Sequence, residues 1–265
     1  MKNNNNQDTL LTIHNLKVHF STENGIVKAV DGINLSIQKG EIVGLVGESG
    51  SGKSITALSI MGLLPKNKII DGEILFNKEN LLTKNKKEIR KIRGNNISIV
   101  FQDPMSSLNP CLSIGEQISE GIRLHQGLNG QNVKKKTIEL LKLVDIPSPE
   151  TRIDEYPHQL SGGMRQRIMI AMAISCNPLL LIADEPTTSL DVTIQAQIIE
   201  LMKNLIKSKD CSLLLITHDF GIVAEMCDRV AVMKDGKIVE ENTVKNIFDN
   251  PKHPYTKKLL DCLLY

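Results

Sequence analysis

With 265 residues and 41% hydrophobic content, the chain can bury one substantial core and a smaller second one, so one large domain with a subdomain is expected. Its 32 Lys and Arg against 30 Asp and Glu leave a formal charge of +2, and only 3% of residues are aromatic, which argues against nucleic acid as the main partner. Apolar runs fall short of the ~20 residues that a membrane helix needs, and five widely spaced cysteines without a Cys-x-x-Cys pair fit a reducing cytoplasm.

In chain order, the polar, Asn-rich start over residues 1–10 reads as a flexible tail rather than a signal peptide. Leu11 to Ile37 is strand-like, with a turn at Glu23-Asn24-Gly25, and predicts an antiparallel opening. Glu41 to Val46 is a short apolar run, followed by a Gly-rich turn and a helical stretch from Ser54 to Leu64 that stops at Pro65. Gly72 to Phe76 and Ile97 to Phe101 read as further strands. From about 112 to 176 the pattern turns helical, with Asn132 as the expected cap of a helix from Val133 to Val144 and a second helix from Gly162 to Ser175. This is expected to be a helical subdomain inserted in an α/β core. The core resumes with strands at Leu179–Ala183 and Ser212–Thr217 around a helix from Val192 to Ser208, an alternation that implies parallel strands. Val230 to Val239 predicts a hairpin turning at Asp235-Gly236, and the segment from about 243 to 265 two short helices.

Gly47-Glu48-Ser49-Gly50-Ser51-Gly52-Lys53-Ser54 fits G-x-x-x-x-G-K-[ST] and sits after a predicted strand and before a helix, the context a phosphate loop requires. Glycines let the backbone curl so that its amides face phosphate, the helix N-terminus adds a favourable dipole, Lys53 reaches the β/γ-phosphates and Ser54 supplies an oxygen for Mg²⁺. Such a loop needs a carboxylate for the metal and a base for the attacking water. Asp184 and Glu185, at the end of the strand Leu179–Ala183, supply both. Taken alone, an acidic pair closing a strand marks a helix start; the phosphate loop upstream is what gives it chemistry.

Leu160-Ser161-Gly162-Gly163-Met164-Arg165-Gln166-Arg167 resembles the signature sequence of ABC ATPases. The resemblance implies a phosphate-loop NTPase fold with an antiparallel β subdomain and the inserted helical subdomain, spanning residues 11–265, with ATP and Mg²⁺ as ligands. It implies that Ser161, Gly162 and Gly163 close on the nucleotide of a second subunit. By the same resemblance Gln102 senses Mg²⁺ and the attacking water and links to membrane subunits, and His218 bonds the γ-phosphate. Ser189-Leu190-Asp191 follows the acidic pair as in the family, with Ser189 in place of the common Ala. Phe20 resembles the aromatic residue that stacks on adenine, although Ile26 or Val27 offers an alternative apolar contact.

Three further stretches, Phe101 to Pro110, Glu185 to Thr193 and Asn250-Pro-Lys-His-Pro-Tyr-Thr256, resemble the oligopeptide, dipeptide and nickel importer branch of that family. The branch implies two ATPase subunits, identical or not, on two transmembrane permeases at the cytoplasmic face of the cell membrane, fed by an extracytoplasmic binding protein. Peptide or nickel import is the implied function. The alternative is a soluble ABC ATPase acting on ribosomes or DNA; such relatives usually carry two cassettes or coiled-coil or zinc insertions, which this sequence lacks. Only Cys262 follows the His-Pro-Tyr-Thr segment, so no iron–sulfur centre is expected, and the short tail leans toward the dipeptide or nickel forms. The basic runs Lys84 to Arg93 and Lys134 to Lys136 read as solvated helix faces.

Overall fold

The computed structural model describes residues 9–23, 25–188 and 190–261, so most of the expected tail, Asn24, Ser189 and Cys262 lie outside the described residues. The chain forms two compact units, Met1–Ile89 with Ser212–Tyr265, and Arg90–Cys211. In the first unit lie β1 (Thr9–Thr22), β2 (Gly25–Gln38), β3 (Ile42–Val46), α1 (Lys53–Ile60), β4 (Lys68–Phe76) and β5 (Glu79–Asn80). Thr9 and Leu10, counted with the tail from the sequence, instead open β1. The sheet β2-β1-β4-β5 is antiparallel. Period-2 alternation puts Leu11 and Ile13 of β1 in the interior, a register shift after Ile13 resets the alternation so that Leu16 and Val18 also face inward, and Ile33, Leu35 and Ile37 of β2 join them. The strand expected from Gly72 begins four residues earlier, at Lys68, because pairing to β1 carries Ile69 and Ile70 into the ladder.

The helix α1 ends at Ile60, well before Pro65. Gly62 takes φ +61°, and the amides of Gly62 and Leu63 turn back to the carbonyls of Ser59 and Leu58, which closes the helix as a glycine C-cap. The proline was therefore the wrong stop signal; the glycine ahead of it had already ended the hydrogen-bond ladder.

After α2 (Lys86–Ile92), the second unit holds β6 (Ile97–Val100), α3 (Pro104–Ser107), α4 (Ile114–Gln126), α5 (Gln131–Leu143), α6 (Pro149–Arg152), α7 (Gly162–Ile174), β7 (Leu180–Asp184) and α8 (Val192–Lys209). Strands β6 and β7 pair in parallel, from Ile97 opposite Leu180 to Val100 opposite Ala183. Ile118 and Ile122 of α4, Leu140 and Leu141 of α5 and Ile168 of α7 are buried, and Ser119 and Thr137 satisfy each other at 3.0 Å inside this bundle. Asn132 does not cap α5. The helix starts two residues earlier than expected, at Gln131 behind Gly130, and no side chain caps it.

The chain returns to the first unit through β8 (Ser212–Thr217), α9 (Phe220–Met226), β9 (Arg229–Lys234), β10 (Lys237–Thr243), α10 (Val244–Asp249) and α11 (Pro254–Asp261). Strand β3 pairs in parallel with β8 on one side and β9 on the other, and β9 turns into β10 at Asp235 and Gly236, both at positive φ, as a two-residue hairpin requires. Val46, Phe220, Val223, Val230, Val232, Ile247 and Tyr255 form one apolar core that ties the C-terminal helices to the end of β3. No helix among the described residues is long and apolar enough to cross a membrane.

Candidate nucleotide site

In the first unit, the phosphate-loop motif occupies the link from β3 to α1. Two of its glycines are held against backbone. A Cβ at Gly47 (φ +155°) would lie 2.1 Å from the carbonyl oxygen of Met233, and one at Gly52 (φ +108°) 2.3 Å from that of Ala29. No L side chain fits either position without moving a neighbouring strand. The Ser51 carbonyl accepts from the Gly236 amide at 3.0 Å, so the β9–β10 turn also braces the loop.

Lys53 is buried, at 4% exposure, and its Nζ donates to the carbonyls of Gly47 at 2.7 Å and Glu48 at 2.9 Å. A buried ammonium needs such acceptors. Glu48, Ser49, Gly50 and Ser54 are exposed, whereas Ser51 is buried and its Oγ has no hydrogen-bond partner among the described residues. A curled loop at a helix N-terminus, a lysine held inside the curl and an unused hydroxyl together fit a phosphate chain.

The parallel register brings His218 to this end of the sheet. Val46 lies opposite Thr217, so the residues after β3 and after β8, Gly47 and His218, emerge side by side. His218 is exposed, and Asp219 caps α9 through the amides of Gly221 and Ile222. Phe20 is half-buried in β1, opposite Val27 of β2 and Lys68 of β4, while Ile26 and Val27 are 63% and 53% exposed. Both sequence alternatives for an apolar contact therefore sit on the same stretch of sheet.

In the second unit, Asp184 is the last residue of β7 and is buried. Glu185 follows at φ +48°, a left-handed conformation that costs a non-glycine residue about 1 kcal/mol or more and is found disproportionately at functional sites. Its Oε2 accepts from Gln102 Nε2 at 2.8 Å and from Thr188 Oγ1 at 3.0 Å. The structure thus joins Gln102, which leaves β6, to Glu185, which leaves the paired strand β7. Ser161 caps α7 by accepting from the Met164 amide at 3.3 Å, and it and Gly162 are exposed. A Cβ on Gly163 would meet Ile194 Cγ2 of α8 at 2.8 Å. Asp191 caps α8 through the Ile194 amide at 3.0 Å.

Sequence reasoning gives no role to Thr188 or Tyr255, yet Thr188 holds Glu185 and the Tyr255 hydroxyl accepts from the Glu48 amide at 3.0 Å. Thr188 stood inside a stretch read only as a branch marker, and so did Tyr255. Each contact depends on chain packing that no local motif encodes.

Strand, glycine loop and helix, with parallel strands on either side of β3's register, define the class: an α/β phosphate-loop ATPase. The sequence model of the ABC transporter family matches residues 30–188, and that of the oligopeptide/dipeptide transporter C-terminal region matches residues 239–265. The chain belongs to the ABC transporter family. It is 53% identical to the dipeptide transport ATP-binding protein DppD of Bacillus subtilis (strain 168), over 96% of this chain and 76% of that protein. The oligopeptide transport ATP-binding protein AppD of the same organism is 54% identical, over 95% of this chain and 77% of its own length. Among solved structures, the dimeric post-hydrolysis state of the ATP-binding cassette MJ0796 bound to ADP and Pi superposes with a TM-score of 0.80 at 29% identity, covering 89% of this chain and 99% of that one.

Proposed function

We propose that this chain hydrolyses ATP to energise the import of peptides through a membrane transporter. The observation that carries this reading is the near-complete alignment, at about half identity, with ATP-binding proteins named for dipeptide and oligopeptide transport. Those names favour peptides over nickel, and over the alternative of a ribosome- or DNA-directed ATPase.

Each residue's part follows from its chemistry. The loop from Gly47 to Ser54 cradles the phosphates with its amides other than that of Glu48, which donates to Tyr255, and Lys53 exchanges the carbonyls of Gly47 and Glu48 for β/γ oxygens. Ser54, Gln102 and Asp184 offer oxygen donors, the ligand type that Mg²⁺ takes, and are the residues that would hold it. Mg²⁺, when bound, neutralises charge on the phosphates. Glu185 orients the attacking water and takes its proton, held in place by Gln102 and Thr188. His218 bonds the γ-phosphate, and Phe20 stacks on adenine. Ser161, Gly162 and Gly163 serve the nucleotide of a second cassette, identical or not. The helices α4, α5 and α7 form the inserted subdomain, Gln102 links the chain to two permeases at the cytoplasmic face, and an extracytoplasmic binding protein delivers cargo.

The test is mass spectrometry of what co-purifies with tagged Glu185→Gln chain from gently solubilised membranes in ATP. Two multi-spanning permeases and a bound peptide are expected. Ribosomal or DNA-repair proteins with no permease would overturn the reading, and a retained metal in place of peptide would redirect it to nickel.

A further inference from the structure

The His-Pro-Tyr-Thr segment matched to the oligopeptide/dipeptide C-terminal region has a physical task that its sequence does not announce. Its geometry is fixed in steps. The Glu240 carboxylate accepts the amides of Lys252 at 2.8 Å and His253 at 2.9 Å, anchoring the segment to β10. His253 Nδ1 accepts the Tyr255 amide at 3.2 Å, standing where a cap would, and Pro254 opens α11 with a φ already suited to a helix. Tyr255 is thereby aimed into the first unit's core, beside Val46, with Lys234 Nζ 4.9 Å from its ring centroid.

Its hydroxyl oxygen accepts from the Glu48 amide at 3.0 Å. That N–H belongs to the same planar peptide group as the Gly47 carbonyl, to which Lys53 Nζ donates at 2.7 Å. One rigid plane is therefore gripped at one end by Tyr255 and at the other by the phosphate-binding lysine. Turning the plane would move the carbonyl that parks Lys53. Burial pushes the Tyr255 phenol above its ordinary pKa, with the Glu48 amide pulling the other way, so the group stays a neutral hydroxyl.

We infer that Tyr255 is a positioning residue of the phosphate loop: through the Glu48 amide it fixes the Gly47–Glu48 peptide plane and so presets Lys53 for phosphate. This rests on the ATP reading above and gives the C-terminal segment a direct hold on nucleotide affinity.

The test is Tyr255→Phe in the full chain, which keeps the ring, its packing and the Lys234 contact and removes only the acceptor. ATP affinity, by titration with a fluorescent analogue, is expected to weaken about fivefold, the worth of one net hydrogen bond. The Glu48 amide should exchange with solvent about tenfold faster. Unchanged affinity, whether or not the melting temperature of the nucleotide-free chain falls, overturns the inference, because a purely structural tyrosine would shift melting alone. A Glu48 amide exchanging at the unprotected rate in the wild-type chain overturns it as well, without recourse to any variant. If wild-type and Lys53→Ala chains bind the analogue equally poorly, the ATP reading itself falls and takes the inference with it.

Discussion

The phosphate loop and the Glu185 cluster are held in different ways. Around the loop, backbone restrains backbone: Gly47 and Gly52 press on the carbonyls of Met233 and Ala29, Ser51 accepts from Gly236, and Lys53 is buried on two loop carbonyls. Around Glu185, side chains restrain a side chain, with Gln102 and Thr188, both exposed, sharing one carboxylate oxygen. A backbone cradle is preformed and stays put when its ligand leaves. A carboxylate held by exposed rotamers can reorient when a neighbour changes. Binding and hydrolysis should accordingly respond to mutation in separable ways.

The largest expected effect tests the chemical side alone. Glu185→Gln keeps an oxygen for the bonds from Gln102 and Thr188 but removes the base, so steady-state ATP turnover should drop about a thousandfold while ATP affinity stays within about threefold. Parallel losses of both would dissolve the distinction between the two regions. Next, Gly52→Ala attacks the cradle. With a Cβ 2.3 Å from the Ala29 carbonyl and φ at +108°, the variant should lose about 3 kcal/mol of stability or more in denaturant unfolding, and with it measurable nucleotide binding. A stable Gly52→Ala chain that binds ATP normally would show the loop to be pliant.

Gln102→Ala sharpens the comparison from the exposed side. It removes a donor to Glu185 Oε2 and should slow turnover about tenfold with little change in melting temperature, since exposed hydrogen bonds contribute little to folding. The smallest effect concerns Gln166, in the signature helix α7, which is fully buried with both side-chain polar atoms lacking a partner among the described residues. Gln166→Leu removes that desolvation cost and should raise stability by about 1 kcal/mol in urea titration. A destabilised variant would show that those atoms are satisfied by ordered water.

Much of the first unit was legible because its signals are local. The hairpin at Asp235-Gly236 and the strand before the phosphate loop appear where the sequence put them, since two positive-φ residues in a turn and a short apolar run each constrain their own backbone. Asn132 misled because capping propensity says which residue can cap, whereas the helix start at Gln131 was set by how α5 packs Val133, Thr137 and Leu140 inward. Helix α4, unmarked in the sequence reading, is capped by Ser113 and buries Ile114, Ile118 and Ile122 along one face, a spacing that was legible and overlooked.

The sequence by itself determined the class of machine: a glycine-rich loop between strand and helix, its lysine, a strand-end acidic pair and a glycine-opened helix are each written within a few consecutive residues. Only the tertiary structure decided which of them touch what. Gln102 meets Glu185 across 83 residues, and Tyr255 meets Glu48 across 207. Such contacts follow from strand register and core packing, which are collective properties of the chain, and no short stretch of sequence carries them.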